Sequence, residues 1–179
     1  MPLYAHGKHS PQIHPHAFVA PSADVIGNVS VGDSSSIWFH TVVRGDQDKI
    51  TIGNGSNIQD QTTCHADAHV PLTIGDNVTV GHNCVVHGCT IEDGCLIGMG
   101  AVVMNHARIG TGSIVAAGAV VLEGTIIPPY SLVTGSPGRV KKTYENQEEI
   151  RAGIQRASDI YVGNTREYGD AEYFRPVGD

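Results

Sequence analysis

Aliphatic residues recur at six-residue spacing through most of this 179-residue chain, and that period constrains the fold more than any other feature. A glycine or another small residue often follows the aliphatic one, so each repeat supplies one core side chain and one place for a sharp turn. A content of 22 glycines beside only 6% aromatic residues suits such turns better than a helical or sandwich core. The repeat positions are Val25, Val31, Ile37, Val43, Ile52, Ile58, Cys64, Ile74, Val80, Val86, Ile91, Ile97, Val103, Ile109, Val115, Val121, Ile127 and Val133.

A hexapeptide period without intervening helices predicts a parallel β-solenoid, in which three hexads form the three sides of one triangular coil. An antiparallel sandwich would need alternating polarity and hairpin turns, and only Asn54-Gly55 fits such a turn. Breaks in the period predict local irregularities in the coils. These are a bulge around 44–48, an outward loop at 66–71 and a tight corner at Gly88-Cys89.

The C-terminal part of the chain follows a different pattern. The hexapeptide period ends at Pro128-Pro129, and the later apolar residues have the spacing of one helix face. Asn146, with Glu149 three residues later, forms a plausible capping box for that helix. We therefore expect a β-helix domain with a short N-terminal arm at 1–140, and a helix with a tail at 141–179. The apolar helix positions are Ile150, Ile154, Ala157 and Tyr161.

The charge and the apolar content exclude several classes of function. A formal net charge of −7 argues against affinity for nucleic acid or anionic membranes, because both need clustered cations. No apolar run approaches membrane-spanning length, and the first residues lack a signal-peptide pattern, which predicts a cytoplasmic location. Without any C-x-x-C pair, we expect the four cysteines to be free and buried; they are Cys64, Cys84, Cys89 and Cys95.

Three of the ten histidines can be placed with the repeat. His65 and His87 each follow a repeat position, and three repeat steps separate those positions, so the two side chains should stack one coil apart. Backbones about 4.8 Å apart allow two imidazoles to share a zinc-class ion, although stacked histidines also occur without metal. Arg44 belongs to the same column. His82 lies one side earlier in its coil and would reach the pair of a neighbouring chain only in a threefold assembly.

The remaining histidines have weaker signals. For His6, His9, His14 and His16, in or beside the N-terminal arm, a solvated role is the expectation.

The sequence closely resembles the γ-class carbonic anhydrases and their γ-carbonic-anhydrase-like relatives. The matching segments cover nearly the whole chain, and the spacing of the three histidines together with R-G-D and Q-D is more specific than the repeat itself. That resemblance implies the left-handed form of the β-helix. The segments are Val43-Arg44-Gly45-Asp46, Ile58-Gln59-Asp60, His65, Gly81-His82-Asn83, Val86-His87-Gly88-Cys89, Ile97-Gly98-Met99-Gly100-Ala101, Gly135-Ser136-Pro137-Gly138 and Tyr161-Val162.

The resemblance also implies a metal site shared between the subunits of a homotrimer. Its ligands would be His65 and His87 of one subunit and His82 of the next, and the metal would be zinc, with iron or cobalt as alternatives. The implied reaction is reversible hydration of carbon dioxide to bicarbonate by a metal-bound hydroxide.

Five further residues have roles implied by the same resemblance. Gln59 would hydrogen-bond the water on the metal, and Tyr161 would approach the pocket from the C-terminal helix. Arg44, Asp46 and Asp60 would form polar pairs that orient the site and hold subunits together.

The sequence departs from the founding members of the family in its proton relay. Those proteins carry a glutamate directly after R-G-D and a longer acidic loop, whereas this chain has Gln47 and a loop that holds only Asp67 and His69. We therefore expect activity that is low, with His69 as the one candidate shuttle. The alternatives are an acyltransferase of the same fold that binds coenzyme A, and a metal-binding trimer without catalysis.

Overall fold

The computed structural model describes residues 3–177 as a parallel β-solenoid of about seven turns followed by one helix. This confirms the fold class predicted from the hexapeptide period. The strands are β1 (Leu3–Tyr4), β2 (Gln12–Ile13), β3 (Phe18–Val19), β4 (Asp24–Val31), β5 (Ser36–Ile37), β6 (Val42–Ile52), β7 (Asn57–Ile58), β8 (Thr63–His65), β9 (Leu72–Ile74), β10 (Thr79–Val80), β11 (Val85–His87), β12 (Thr90–Ile91), β13 (Leu96–Ile97), β14 (Val102–Val103), β15 (Arg108–Ile109), β16 (Ile114–Val115), β17 (Val120–Val121), β18 (Ile126–Ile127), β19 (Ser131–Thr134) and β20 (Arg139–Thr143).

The strands form three flat faces. Face A contains the first half of β4 and of β6, then β8, β11, β14 and β17. Face B contains β2, the second half of β4 and of β6, then β9, β12, β15 and β18. Face C contains β3, β5, β7, β10, β13, β16 and β19. Every predicted repeat position points into the core and is at most 4% exposed.

The predicted irregularities lie where the period breaks. Residues 46–49 bulge within β6, because Gly45 pairs with Gly27 but the next pairing joins Ile50 to Val29. The 66–71 segment folds into a tight loop closed by a bridge between Asp67 and Val70. Neither disturbs the stacking of the coils above and below.

Asx side chains join successive coils at the corner between faces B and C. The side-chain oxygen of Asn54 accepts the N–H of Asp33 at 2.9 Å, and that of Asp76 accepts the N–H of Asn54 at 2.6 Å. Asp93 accepts the N–H of Asp76 in the same way at 2.9 Å. We call these four residues the Asx ladder. It holds the register of neighbouring coils where no strand runs.

The helix α1 (Gln147–Gly169) begins at the predicted cap, where the Asn146 side chain accepts the N–H of Glu149 at 3.1 Å. It packs over face C and the adjoining corner. Tyr161 and Tyr168 meet Trp38 edge-on, with ring centroids 5.3 and 5.0 Å apart. Ser158 donates to the carbonyl of Gly55 across the corner between faces B and C.

Two more features complete the architecture. Among the named strands, pairing is parallel everywhere except between β19 and β20, and β20 spans the boundary expected between 140 and 141. Within residues 3–177, no helix has the length and apolar character that crossing a membrane requires.

Candidate metal centre

His65 and His87 form a stacked pair at one edge of face A. The strand register pairs Arg44 with His65 and His65 with His87, as the repeat count predicted. The Nδ1 atom of His65 lies 2.8 Å from the Nε2 atom of His87. The His65 side chain is nearly buried, whereas that of His87 is 29% exposed, so the pair opens to the outside at its upper member.

The outer nitrogen of each ring faces a side-chain oxygen. The Nε2 atom of His65 lies 3.1 Å from Oδ1 of Asp46, and the Nδ1 atom of His87 lies 2.6 Å from Oδ1 of Asn105. Both oxygens are acceptors, because Asn105 uses its amide nitrogen to donate to Asp67 at 2.8 Å. The outer nitrogens therefore carry the ring protons, and the inner nitrogens present lone pairs to each other.

Two lone pairs at hydrogen-bond distance need a positive centre between them. A metal ion bound by both rings would supply that centre. Two nitrogens on one tetrahedral zinc lie about 3.3 Å apart, given bond lengths of about 2.0–2.1 Å, so the rings need to separate by about half an ångström. Neutral imidazoles oriented by outer hydrogen bonds are the donors that zinc-class ions prefer, so the pair fits the metal.

Arg44 and Asp46 support the pair from the coil below. Arg44 donates to one carboxylate oxygen of Asp46, and His65 contacts the other. Partial desolvation acts to raise the pKa of Asp46, but hydrogen bonds from Arg44 and His65, together with the arginine charge, lower it below its ordinary value. Asp46 thus stays ionised and orients His65. We call Arg44, Asp46, His65 and His87 the first half-site.

Asn105 and Asp67 also belong to this group, although the sequence alone did not predict either as a site residue. Asn105 reaches His87 by passing over Gly88, where a Cβ atom would lie only 2.4 Å from the asparagine oxygen. Asp67 belongs to the 66–71 loop and lies 3.9 Å from Nε2 of His87. One coil counted on from Gly88 leads to Asn105, so the repeat held a signal for this contact.

Gln59, Asp60, His82 and Tyr161 lie together at the opposite edge of face A, and we call them the second half-site. His82 is 44% exposed and its Nδ1 atom lies 2.8 Å from Oδ2 of Asp60. Gln59 is 5% exposed and donates its amide to Asn57 at 3.0 Å. Burial, and then the negative charge of Asp60, raise the pKa of Tyr161.

The structure does not bring His82 to the stacked pair within one chain. His82 lies in the turn that precedes β11, whereas His87 is the last residue of that strand, so the two side chains lie at opposite edges of face A. His82 also lies outside the cluster of possible metal ligands that contains His65, Asp67 and His87. The expected convergence of three histidines therefore depends on a second chain.

Neither the candidate shuttle nor the thiols lie at the stacked pair. His69 is exposed and lines a cavity of about 330 Å³ with His106 on the outer side of the 66–71 loop. All four cysteines are free and buried, as expected. Burial raises the pKa of Cys89 and of Cys95 to about 12, so neither thiol is a ready metal ligand.

Comparison with known proteins identifies relatives named as transferases and relatives named as carbonic anhydrases. The family model described as bacterial transferase hexapeptide (six repeats) matches residues 71–105 and 88–123. A "Probable carbonic anhydrase" of Methanocaldococcus jannaschii is 49% identical over 134 residues, which are 75% of this chain and 84% of that protein.

Two further relatives extend this comparison. "Gamma carbonic anhydrase 2, mitochondrial" of Arabidopsis thaliana is 49% identical over 76 residues, 39% of this chain, and the match spans only 27% of that relative's length. The crystal structure of a putative acetyltransferase from Bacillus cereus superimposes with a TM-score of 0.89 at 38% identity, covering 93% of this chain and 95% of the other. The extent of the archaeal match shows that the chain belongs to the γ-carbonic-anhydrase-like family of hexapeptide-repeat proteins.

Proposed function

We propose that the protein catalyses the metal-dependent, reversible hydration of carbon dioxide to bicarbonate at the subunit interfaces of a homotrimer. The observation that carries this proposal is the facing pair of ring nitrogens in His65 and His87, each held by an acceptor on its outer side. The named relatives support the same reaction. Zinc is the proposed metal, with iron or cobalt as alternatives.

In this proposal each site combines the two half-sites of neighbouring chains. His65 and His87 of one chain and His82 of the next hold the ion, which lowers the pKa of water to about 7 when bound. Asp46 and Asn105 fix the ring orientations on one side, and Asp60 fixes His82 on the other. The Gln59 amide, anchored through Asn57, offers its oxygen as an acceptor for the attacking water.

Arg44 and Tyr161 have positioning roles in the same site. Arg44 keeps Asp46 ionised and directed at His65. Tyr161 lies beside Asp60 and packs on Trp38, so α1 joins the second half-site to the body of the solenoid. A phenol with a raised pKa remains a hydrogen-bond donor at neutral pH, which suits a residue that contacts bicarbonate.

The three faces differ in a way that supports a threefold assembly around face A. Face C is covered by α1. The outward side chains of face B are polar except for Ile126; they are Gln12, Ser30, Thr51, Thr73, Thr90, Arg108 and Ile126. Face A instead presents a mostly apolar column between the two half-sites, with Met99 and Met104 exposed nearby. This column, here called the valine column, consists of Val42, Thr63, Val85, Val102 and Val120. Packing this column against the same column of two other chains would bury apolar surface. It would also bring the first half-site of one chain next to the second half-site of its neighbour.

A proton must leave the site after each hydration step, so a titratable group is needed beside the metal ligands. Gln47 cannot titrate, and His69 lies on the outer side of the loop. Asp67, bonded to Asn105 and 3.9 Å from His87, is a better-placed acceptor for a proton leaving the site. We therefore propose activity limited by proton export.

The proposal is tested first by His82→Ala. Metal content and sedimentation are measured on the same samples, with His9→Ala in the N-terminal arm as the matched control. We expect the wild type and the control to be trimers, and His82→Ala to remain trimeric but to lose one metal equivalent per chain. Loss of a ligand should weaken binding at that site by more than the roughly 10–100-fold typical of outer-shell changes. Equal metal content in His82→Ala and wild type would refute the intersubunit site.

A hexapeptide acyltransferase is the second candidate, favoured by the similarity to the putative acetyltransferase of Bacillus cereus. Titration with acetyl coenzyme A separates the two candidates, because only an acyltransferase should bind it at micromolar concentration. Stopped-flow hydration of carbon dioxide then separates an anhydrase from a metal-binding trimer without catalysis. We propose a cytoplasmic location, because four free thiols are consistent with a reducing compartment.

A further inference from the structure

The Asx ladder changes at its lowest member, Asp33. In each upper step, an Asx oxygen accepts a backbone N–H from the coil below. The pairing of Ile13 with Val31 places Pro15 directly below Asp33. Proline has no N–H, so the carboxylate of Asp33 lacks the donor that its ladder position supplies elsewhere.

Two histidines that flank Pro15 face that carboxylate instead. The Nδ1 atoms of His14 and His16 lie 3.2 and 3.1 Å from Oδ1 of Asp33. The hydroxyl of Ser34 donates to the same oxygen at 3.1 Å. The sequence alone predicts a solvated role for both histidines, whereas in the structure both face one acidic side chain.

The hydrogen bonds leave His14 with an unfavourable contact. The backbone N–H of His16 donates to Nδ1 of His14 at 3.3 Å, so that nitrogen presents its lone pair. The same lone pair faces the Asp33 oxygen at 3.2 Å, which places two acceptors against each other. A cation between them removes this repulsion. The three candidate ligand atoms all lie within 4.8 Å of one another.

We propose that His14, His16 and Asp33 form a second metal site, for a divalent ion of the zinc class, independent of the histidines on face A. Two imidazoles and one carboxylate are a known protein donor set for zinc and for neighbouring transition metals. The side chains are 38%, 74% and 49% exposed, so an ion enters from solvent and keeps water in its remaining positions.

The surroundings of the three partly exposed side chains leave room for an ion and its water ligands. His16 also lines a cavity of about 470 Å³ between the first coils and α1, together with Arg166 and Val162. An ion here would join the first coil to the second at the end of the solenoid, where the Asx ladder has no backbone donor below it.

The experiment titrates metal-free protein with Zn²⁺ alone, by calorimetry. The test variant is His14→Ala/His16→Ala, and the matched control is His6→Ala/His9→Ala, which removes two histidines from the same arm. We expect the control to bind as many equivalents per chain as the wild type, and the test variant to bind one fewer. The control and the test variant binding the same number of equivalents would overturn the second site.

A second measurement separates this site from the one on face A and guards against poor folding. In a His82→Ala background, Zn²⁺ should still raise the thermal midpoint, because binding to the folded chain stabilises it. Adding Asp33→Asn, which keeps the shape of the side chain and its contact with Ser34, should weaken Zn²⁺ binding at least tenfold and remove most of that shift. An undiminished shift in the Asp33→Asn protein would contradict the proposal.

Discussion

At the scale of single residues, Gly88 connects the backbone to the chemistry of the site. Its φ of +47° lies in the left-handed region, which L side chains rarely adopt. A Cβ atom at Gly88 would also approach Asn105 Oδ1 to 2.4 Å and Val70 Cγ1 to 2.7 Å. The bare backbone at this position therefore lets the asparagine reach His87 and hold its tautomer.

Gly88→Ala tests this role. The control is Gly94→Ala, at a glycine that also has a left-handed backbone but has no atoms close to an added Cβ. Gly94 has φ +60° and nothing within 4 Å of an added Cβ. Gly94→Ala should cost about 1–2 kcal/mol from backbone strain alone. Gly88→Ala should cost about 1–3 kcal/mol more because of crowding, and should also weaken metal binding at the stacked pair. Urea unfolding and metal titration of both variants measure this, and equal losses of stability would contradict the crowding.

At the scale of elements, the strands are short and the corners carry much of the polar bonding between coils. Glu92, at a corner of faces B and C, accepts both the N–H and the hydroxyl of Thr111, at 2.9 and 3.0 Å. It also accepts from Nε of Arg108 at 2.7 Å. The backbone hydrogen bond from Thr111 and the pairing with Arg108 together outweigh desolvation and lower the pKa of Glu92 below 4.5.

Glu92→Gln should therefore destabilise the protein in a pH-dependent way. A carboxyl whose pKa is lowered by folding stabilises the folded state above the unfolded pKa, and loses that contribution as the pH falls through the folded pKa. The variant should be less stable than wild type at pH 7, and the difference should shrink below about pH 4.5. Urea unfolding at several pH values checks this, with Glu172→Gln in the tail as control. A difference that stays constant down to pH 3 would contradict the prediction.

The six-residue period predicted the features that depend on backbone register. It predicted fewer of the features that depend on where a side chain at a corner points. The core positions, the stacked histidines and the Arg44 column follow from counting coils, because parallel pairing preserves register. The helix and its Asn146 cap follow from spacing and capping chemistry. The contacts of Asn105 and Asp33 were missed. Counting coils places Asn105 above Gly88 and Asp33 above Pro15, but the sequence does not give the direction in which a side chain at a turn points.

At the scale of the whole molecule, the proposed trimer depends on face A. Val102 lies between Val85 and Val120 in the valine column. Thr90 holds the corresponding place on face B, in register with Thr73 and Arg108. The two residues therefore offer matched sites on the proposed interface and on a face left to solvent.

Val102→Glu should convert the trimer to monomers, because three like charges would meet at the threefold axis in a region without water. Thr90→Glu should leave the assembly intact. Sedimentation velocity at one protein concentration measures both, and metal content should fall with the trimer in Val102→Glu only. A trimeric Val102→Glu protein would place the interface on a different face.

The antiparallel β20 strand matters for how these molecules behave when crowded together. A stack of nearly identical coils offers its last open edge as a template, on which another chain could continue the same parallel ladder. At the end of face C, β20 occupies that edge with the opposite chain direction and five exposed residues, among them Arg139, Lys141 and Lys142. Because β20 runs antiparallel and covers β19, the parallel ladder of face C cannot continue from that edge into another chain, so this short strand opposes end-to-end growth into filaments.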